Sequence, residues 1–452
     1  MVHVCIHTGP HDSSVSIIEN GELYHFIEER FSHLKHACPP VYAVDHLKKC
    51  VDDIEILTFS NLHHQSTDFG FIRSHIEKIL GVNINEDIGI LIQYDHHQLH
   101  ASVSYEHSGF DDAIILVLDG AGSDYTFGKE NCSVYYKESR DSEYEPLYNS
   151  VVGDGTPITV DAPDFVDKKT NIGAGYVYTA VTEWIGFDSL DSGKTMGLAA
   201  YGKEDIRIPQ LLSIEHQGNK SCKLRAAIDE GLYAEILNVG SCSAIINNEY
   251  INNLPTDNLD TIKGYRDENL IHSVKKTANE FKQNIAYRVQ KDYEKYLIHT
   301  CKKVLSMSKS KNLILTGGCA LNCVANYKLL KSLPVDVNLY VDPTCDDSSV
   351  SIGGVYLTNN INNNNFKLKN LYKGRPLQYD YKLLNGEDEY EATPKDIAKL
   401  ISNENIVAIA QGRSEIGPRA LGNRSILFDP RVKDGKDIVN RVKKREYFRP
   451  FA

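Results

Sequence analysis

The sequence lacks an excess of positive charge. Its 49 Lys and Arg are outnumbered by 61 Asp and Glu, for a formal charge of −12. Nucleic acid held by phosphate contacts needs a basic footprint, so no DNA partner is expected. A small anion in a local basic pocket remains compatible with that charge. The start, MVHVCIHTGPHDSS, has neither a basic n-region nor an apolar h-region, so it does not read as a secretion signal. Long apolar runs are missing too. Ala113 to Leu118, the longest near a candidate site, is far too short to cross a bilayer. No CxxC pair occurs among the ten scattered cysteines. This speaks against a cysteine zinc site and for reduced thiols in a cytoplasm. Cys319 and Cys323, four apart beside glycines, read as packing residues. The expectation is a cytoplasmic protein without a membrane partner. No short-period repeat is evident.

What is present suits a globular protein. At roughly 150 residues per domain, 452 residues predict about three units. Hydrophobic residues at 41% and charged residues at 24% fit a chain with a real core. Val2 to Ile6 reads as a strand, Gly9-Pro10-His11-Asp12 as a turn, and Val15 to Ile18 as a second strand. Asn20-Gly21 makes a hairpin back through Leu23 to Ile27. Ala113 to Leu118 reads as a buried strand ending at Asp119-Gly120. From Leu270 to Leu305, apolar residues including Val274, Ala278, Phe281, Ile285, Val289, Tyr293, Leu297, Cys301 and Val304 recur at helical steps. They predict one long packing helix. Further strands are expected at Leu313 to Leu315 and Val335 to Val341. The asparagine tract 359–365 reads as a linker. The whole suggests an α/β fold with ligands at strand ends.

Four constellations carry chemical potential. His96 and His100, in Asp95-His96-His97-Gln98-Leu99-His100, share a helix face one turn apart. That spacing lets two imidazoles grip one metal ion, and Asp119 at a strand end offers a carboxylate. Mixed imidazole and carboxylate ligation suits iron, zinc or manganese; surface or core histidines are the plainer reading. Thr316-Gly317-Gly318-Cys319-Ala320-Leu321-Asn322 follows a strand. Its glycines permit close backbone approach to phosphates or simply a tight turn, and the GKS/T ending of a Walker loop is absent. A related turn is expected from Gly193 to Gly202, over Gly193-Lys194-Thr195-Met196-Gly197-Leu198-Ala199-Ala200-Tyr201-Gly202. Asp346-Asp347-Ser348-Ser349 before Gly353-Gly354 can hold a metal or serve as an ordinary turn. Finally, Gln411 to Ser425 and Lys443 to Pro450 concentrate Arg413, Arg419, Arg424, Lys443, Lys444, Arg445 and Arg449. Arginines fork onto phosphate or carboxylate oxygens, so these segments suggest an anion pocket or a solvated basic face.

Taken in order, these pieces resemble the O-carbamoyltransferases that decorate nodulation factors and antibiotics. The matching string is His11-Asp12-Ser13-Ser14, Glu28-Glu29-Arg30-Phe31, Lys35-His36, Asp95-His96-His97 with His100, Asp119-Gly120, Met196-Gly197-Leu198-Ala199 with Tyr201-Gly202, and Gly317 to Asn322. Gly417 to Ser425 and Arg449-Pro450-Phe451-Ala452 complete it. The resemblance implies a two-lobed ASKHA-type (actin-like, sugar-kinase-type) carbamoyl-transfer domain over 1–358. A linker over 359–392 follows, then the N-terminal part of a YrdC-like α/β domain over 393–452.

By the same resemblance the metal ligands are His96, His100, Asp119 and Asp347, with Fe2+ first and Zn2+ or Mn2+ as alternatives. The nucleotide residues are Gly317, Gly318, Asn322 and Asp347. Lys443 and Arg445 match a lysine-x-arginine signature, and Arg419, Arg424, Lys443, Arg445 and Arg449 are expected to hold phosphate charge. ATP with Mg2+ and carbamoyl phosphate would form carbamoyl-adenylate, whose carbamoyl group passes to a hydroxylated small molecule or sugar. His11, in a turn, is a candidate base or a hydrogen-bonding turn residue. Ser123 stands where the family usually carries the glutamate of Asp-Gly-x-Gly-Glu. The YrdC-like part is expected to be incomplete at Ala452, to be completed by a second polypeptide if the chain is not a fragment. The alternatives are a threonylcarbamoyl tRNA-modification-type enzyme, an ATPase on the same fold, and a partner-dependent subunit without activity.

Overall fold

The computed structural model of the protein describes residues 2–50, 54–60, 74–79, 81, 89–91, 95–125, 128–152, 166–167, 173–206, 208, 210–214, 226–227, 268–360, 370–377, 388–389 and 391–450. The chain forms two compact units, one of Met1–Gly109 with Pro343–Ala452, the other of Phe110–Asp342.

In the first unit, β1 (Val2–His7), β2 (Ser14–Glu19), β3 (Glu22–Ile27), β4 (Ile56–Ser60) and β5 (Gly89–Leu91) form one sheet in the order β3-β2-β1-β4-β5. β1 and β3 run antiparallel to β2, while β1, β4 and β5 run parallel. Side chains alternate across this sheet with a period of two. Val4, Ile6, Val15, Ile17, Leu57 and Phe59 therefore pack on one face with Ala43, Val44 and Leu47 of the helix Val41–Leu47. Cys5, Ile18 and Leu23 meet Ile352, Val355 and Tyr356 of the helix Val350–Asn360 on the other. The helix His96–Ser108 lies against that second helix, and ten of its thirteen residues are buried.

The second unit repeats the strand order. β6 (Ala113–Leu118), β7 (Asp124–Tyr125), β8 (Gly128–Lys137), β9 (Glu145–Val152), β10 (Val166–Asp167), β13 (Asn312–Thr316) and β14 (Asn338–Val341) form a sheet. Its spine is β9-β8-β6-β13-β14, with β6 and β9 antiparallel to β8, and β6, β13 and β14 parallel. The small strands β11 (Ser213–Ile214) and β12 (Ala226–Ala227) pair separately. The two units thus share one topology, as the resemblance to a two-lobed ASKHA-type domain leads one to expect. All six residues of β6 are buried, which its unbroken apolar run foretold. The helix Glu268–Leu305 forms, with Phe281, Ile285, Val289, Tyr293, Leu297, Cys301 and Val304 buried. The side chains of Val274 and Ala278 lie outside the described residues.

Three local expectations change. Gly193-Lys194-Thr195 is not a turn but part of the helix Ser192–Ala199. The Thr195 hydroxyl bonds Thr182 at 2.8 Å in the interior and Lys194 pairs with Asp191 at 2.7 Å, which the helix geometry allows and a phosphate loop does not need. Cys323 is exposed on the first turn of the helix Cys323–Ser332 rather than packed. The strand expected from Val335 begins at Asn338, because Val335 is fully exposed.

Within the segment expected as a linker, the tract 361–365 lies outside the described residues, but residues 370–377 pack on the first unit. The Lys373 carbonyl accepts from the His25 amide at 3.0 Å, and its ammonium pairs with Glu22 at 2.8 Å. Beyond it come the helix Pro394–Ser402, the antiparallel pair β15 (Val407–Ala410) and β16 (Arg424–Leu427), and the helix Gly435–Val442. Thr393 and Asp396 form a capping box with proline at the helix start. Ile416 enters the core beside Val355 and Tyr356, and Arg413 stacks over the Tyr24 ring at 4.3 Å. Phe451 and Ala452 lie outside the described residues.

Candidate functional site

Parallel strands in such sheets present ligands to the loops at their C-terminal ends. β1 ends at His7 and leads into the turn carrying His11 and Asp12. On the same unit, the helix His96–Ser108 opens with the two histidines, and Asp347 begins a short 3-10 turn entering the helix Val350–Asn360. One glycine lets these helices touch, and the next lets the second helix rest on β1. A Cβ on Gly353 would collide with the Leu99 carbonyl, and one on Gly354 with the Cys5 side chain. This close crossing brings Asp347, far along the chain, to the histidine turn.

The Nε2 atoms of His96 and His100 are 3.1 Å apart. Asp347 Oδ1 lies 3.6 Å from the first and 3.4 Å from the second. All three residues are buried. Ligands about 2.0–2.2 Å from one ion stand roughly 3.0–3.5 Å from each other, so these separations fit a shared cation. The donor set, two neutral imidazoles and a carboxylate, also fits a divalent ion of the zinc or iron class. Burial works against the Asp347 charge, but the His96 ring and the hydrogen-bonding contacts to His100 and His96 hold it well below the ordinary carboxylate range. The neighbouring Asp346 accepts from Ser348 Oγ at 2.8 Å, which is too little to offset its burial. Burial first, then the Asp12 charge, pushes it up to about 7.

His11 faces the same carboxylate, with Nε2 3.7 Å from Asp347 Oδ2. Its Nδ1 donates to Asp12 Oδ2 at 3.0 Å. Asp12 also accepts from His36 Nδ1 at 3.0 Å. Burial alone raises the Asp12 carboxyl, but the bonds from His11 and His36 outweigh it and lower its pKa. His7, buried at the end of β1 with Nδ1 2.8 Å from Ser60 Oγ, is pushed down to about 3 by burial and stays neutral.

In the second unit, Asp119 follows β6. Its amide donates to the Asn131 carbonyl at 3.1 Å, and its Oδ1 accepts from the Gly120 amide at 2.7 Å. Gly317 has φ of 86° and a Cβ there would collide with the Leu118 carbonyl; one on Gly318 would sit 2.9 Å from Asp119 Oδ1. The glycines therefore bring the Thr316–Gly318 turn against the end of β6. Asn322 caps the helix Cys323–Ser332 by accepting from the Ala325 amide at 3.1 Å, and its amide donates to Gln290 at 2.8 Å. Near Ser123, Glu130 Oε1 accepts from the Ser123 amide at 2.9 Å, so a buried carboxylate reaches this turn from β8.

In the C-terminal segment, Lys443 is held below the ordinary lysine range by burial, then by the charges of Arg445 and Arg449. These three cations stand together. Arg445 donates to Asn440 Oδ1 at 2.5 Å and to the Pro450 carbonyl at 2.8 Å. Arg424 spends its guanidinium on the carbonyls of Gln411, Asn423, Arg375 and Gly412, and Arg419 is exposed. Glu415, buried, gathers the turn between them, with Oε1 accepting from the amides of Leu421, Asn423 and Arg424 at 2.8, 2.9 and 3.2 Å.

The structure thus brings together His11, His96, His100 and Asp347 in one unit, and sets Lys443 beside Arg445 and Arg449. Sequence reasoning assigned no role to Asp12, His36 or Glu415. Asp12 adjoins His11, so a His-Asp dipeptide in a turn was the available signal; His36 had none beyond the resemblance, and Glu415 none beyond its place in the Gln411 to Ser425 stretch.

Nodulation protein NolO of Bradyrhizobium diazoefficiens is 27% identical over 374 residues, covering 79% of this chain and 57% of its own length. Nodulation protein NolNO of Sinorhizobium fredii is 25% identical over 486 residues, covering 98% of this chain and 62% of its own. The chain therefore spans about three fifths of the length of these relatives. HypF of T. kodakarensis superposes with a TM-score of 0.47 at 14% identity, covering 79% of this chain and 47% of that one. Among the described residues no helix is long and apolar enough to cross a membrane. Residues 71–356 match the carbamoyltransferase N-terminus and residues 398–452 the carbamoyltransferase C-terminus, so the chain belongs to the carbamoyltransferase family.

Proposed function

We propose that this chain takes part in transferring a carbamoyl group from carbamoyl-adenylate, made from ATP and carbamoyl phosphate, to a hydroxyl of a small-molecule or sugar acceptor. The observation that carries this reading is the convergence of His96, His100 and Asp347, with the His11 imidazole facing the same carboxylate. Family membership supplies the group transferred.

His96, His100 and Asp347 would hold a divalent ion, Fe2+ first and Zn2+ or Mn2+ next. Asp119 is the proposed fourth ligand on its sequence pattern. When bound, the ion supplies positive charge for a nucleotide phosphate and the carbamoyl carbonyl. His11 Nε2 accepts the proton of the acceptor hydroxyl as the hydroxyl oxygen bonds the carbamoyl carbon. The bond from that carbon to the adenylate phosphate breaks, and AMP leaves with the electron pair. Asp12 steadies the imidazolium that results. Gly317 and Gly318 are proposed to let backbone amides approach the nucleotide, with Asn322 and Asp347 beside it. Lys443, Arg445 and Arg449, three cations with Arg419 outside and Arg424 shaping the turn, are proposed to gather phosphate charge when the adenylate forms.

The test is direct. Purified protein is given ATP, Mg2+ and carbamoyl phosphate, and carbamoyl-adenylate is sought by mass spectrometry. Supplied carbamoyl-adenylate is then offered with a panel of hydroxylated acceptors. Transfer that disappears in His100→Ala supports the reading. ATP hydrolysis indifferent to carbamoyl phosphate, with no transfer from supplied adenylate, overturns it.

A further inference from the structure

We propose that His36 is a positioning residue for His11, acting through the carboxylate the two share; this rests on the reading of His11 as the base for the acceptor hydroxyl. His36 Nδ1 lies 3.0 Å from both Oδ1 and Oδ2 of Asp12. One donor straddling both oxygens fixes the plane of the carboxylate, not merely its position. Oδ2 then faces His11 Nδ1 at 3.0 Å. An ionised carboxylate only accepts, so both rings present Nδ1–H to it. His11 is left with the tautomer whose Nε2 lone pair faces the Asp347 side.

The backbone is bent to make this pairing. Asp12 and His36 both have positive φ, 54° and 57°, a conformation that is uncommon for residues with a Cβ and costs free energy. Hydrogen bonds on every side hold it. The Ser13 amide donates to the Ala37 carbonyl at 3.0 Å, and the Glu28 amide to the Ser13 carbonyl at 2.9 Å. The Cys38 thiol donates to the Pro10 carbonyl at 2.9 Å, and the His36 amide to Glu29 Oε2 at 3.2 Å. His36 therefore arrives on a segment fastened to the His11 turn at several points. A histidine that only filled space would need neither the shared carboxylate nor two left-handed residues facing one another.

Three variants separate positioning from packing. Asparagine places its amide donor where Nδ1 stands, glutamine where Nε2 stands, and alanine has none. In metal-loaded protein given carbamoyl-adenylate and a hydroxylated acceptor from the same panel, His36→Ala and His36→Gln are expected to lose about 10–100-fold in kcat, the range seen when an orienting partner is removed. KM for the adenylate and metal content should stay within about twofold, and His36→Asn should recover most of the rate. Nitrogen NMR of the imidazoles gives a second readout that needs no turnover: the His11 Nδ1–H signal persists in the wild type and His36→Asn and is lost in His36→Gln. If His36→Ala does not fold, the asparagine and glutamine pair carries the comparison. An unchanged kcat and an unchanged His11 signal in His36→Gln overturn the proposal. A His11 signal that follows His36 in a protein that transfers nothing upholds the positioning and removes the carbamoyl-transfer reading instead.

Discussion

His96 and His100 turn their Nε2 atoms to within 3.1 Å of each other, one helical turn apart, and Asp347 Oδ1 lies within 3.6 Å of both. Two imidazole nitrogens this close either share one proton or direct both lone pairs at one cation. The second alternative predicts that His100→Ala loses about 10–100-fold or more in metal affinity, since even outer partners of ligands are worth that much. Metal content after dialysis, read by plasma mass spectrometry, checks this. Equal metal in the variant and the wild type refutes the assignment.

Gly353 controls the same site from outside it. Its missing side chain lets the helix Val350–Asn360 rest on the Leu99 backbone. Gly353→Ala is expected to cost about 1–3 kcal/mol of stability through overpacking, read as a lower urea midpoint. It should also weaken metal binding, because the helices part and Asp347 withdraws from the histidines. A variant that is destabilised yet binds metal normally would disconnect the crossing from the site.

Acid should destabilise the first unit through His25. Burial pushes this histidine down to about 3, while the unfolded chain titrates near 6.5. Between those values the unfolded state binds more protons, so the contribution is present above about pH 6.5 and is lost as pH falls towards 3. At pH 5 the loss is about 2 kcal/mol, at roughly 1.4 kcal/mol per pH unit. Asp346, raised to about 7, has the opposite sign, but it is common to the variant and the wild type. His25→Asn keeps a partner for Ser16 Oγ, now 2.9 Å from Nδ1, and removes the titration. Its denaturation midpoint should fall less between pH 7 and pH 5; an identical fall contradicts the argument.

Glu415 holds the Gly417–Ser425 turn by three amide bonds. Those bonds overcome burial and keep its carboxyl below the ordinary range. Glu415→Gln retains the shape but weakens charge-assisted acceptance, so about 1–3 kcal/mol of stability should be lost. Amide exchange should quicken at Leu421, Asn423 and Arg424 before it does in β1. Uniform exchange across the chain would show that Glu415 does not organise this turn.

Much of the fold was legible locally. Ala113 to Leu118 is a buried strand because nothing polar interrupts it. The long helix is legible because its apolar residues return every three or four positions, and its buried side follows that stripe. The His96 and His100 pair was readable for the same reason, since residues four apart share a helix face. Where reading failed, a distant contact decided. Gly193-Lys194-Thr195 has turn-like composition, yet the Thr182 hydroxyl receives Thr195 in a helix. Residues 370–377 follow a polar tract, yet Lys373 finds Glu22 and the His25 amide.

The sequence by itself determined the periodicities: alternating strands, the helical stripe, and two imidazoles on one face, all set by neighbours within a few residues. Only tertiary structure decided that Asp347 meets those imidazoles, because that depends on two helices closing over Gly353, and that Asp12 is shared by His11 and His36, because two separate loops must be fastened together first. Such contacts are fixed by packing across long stretches of chain, where no short-range pattern records them.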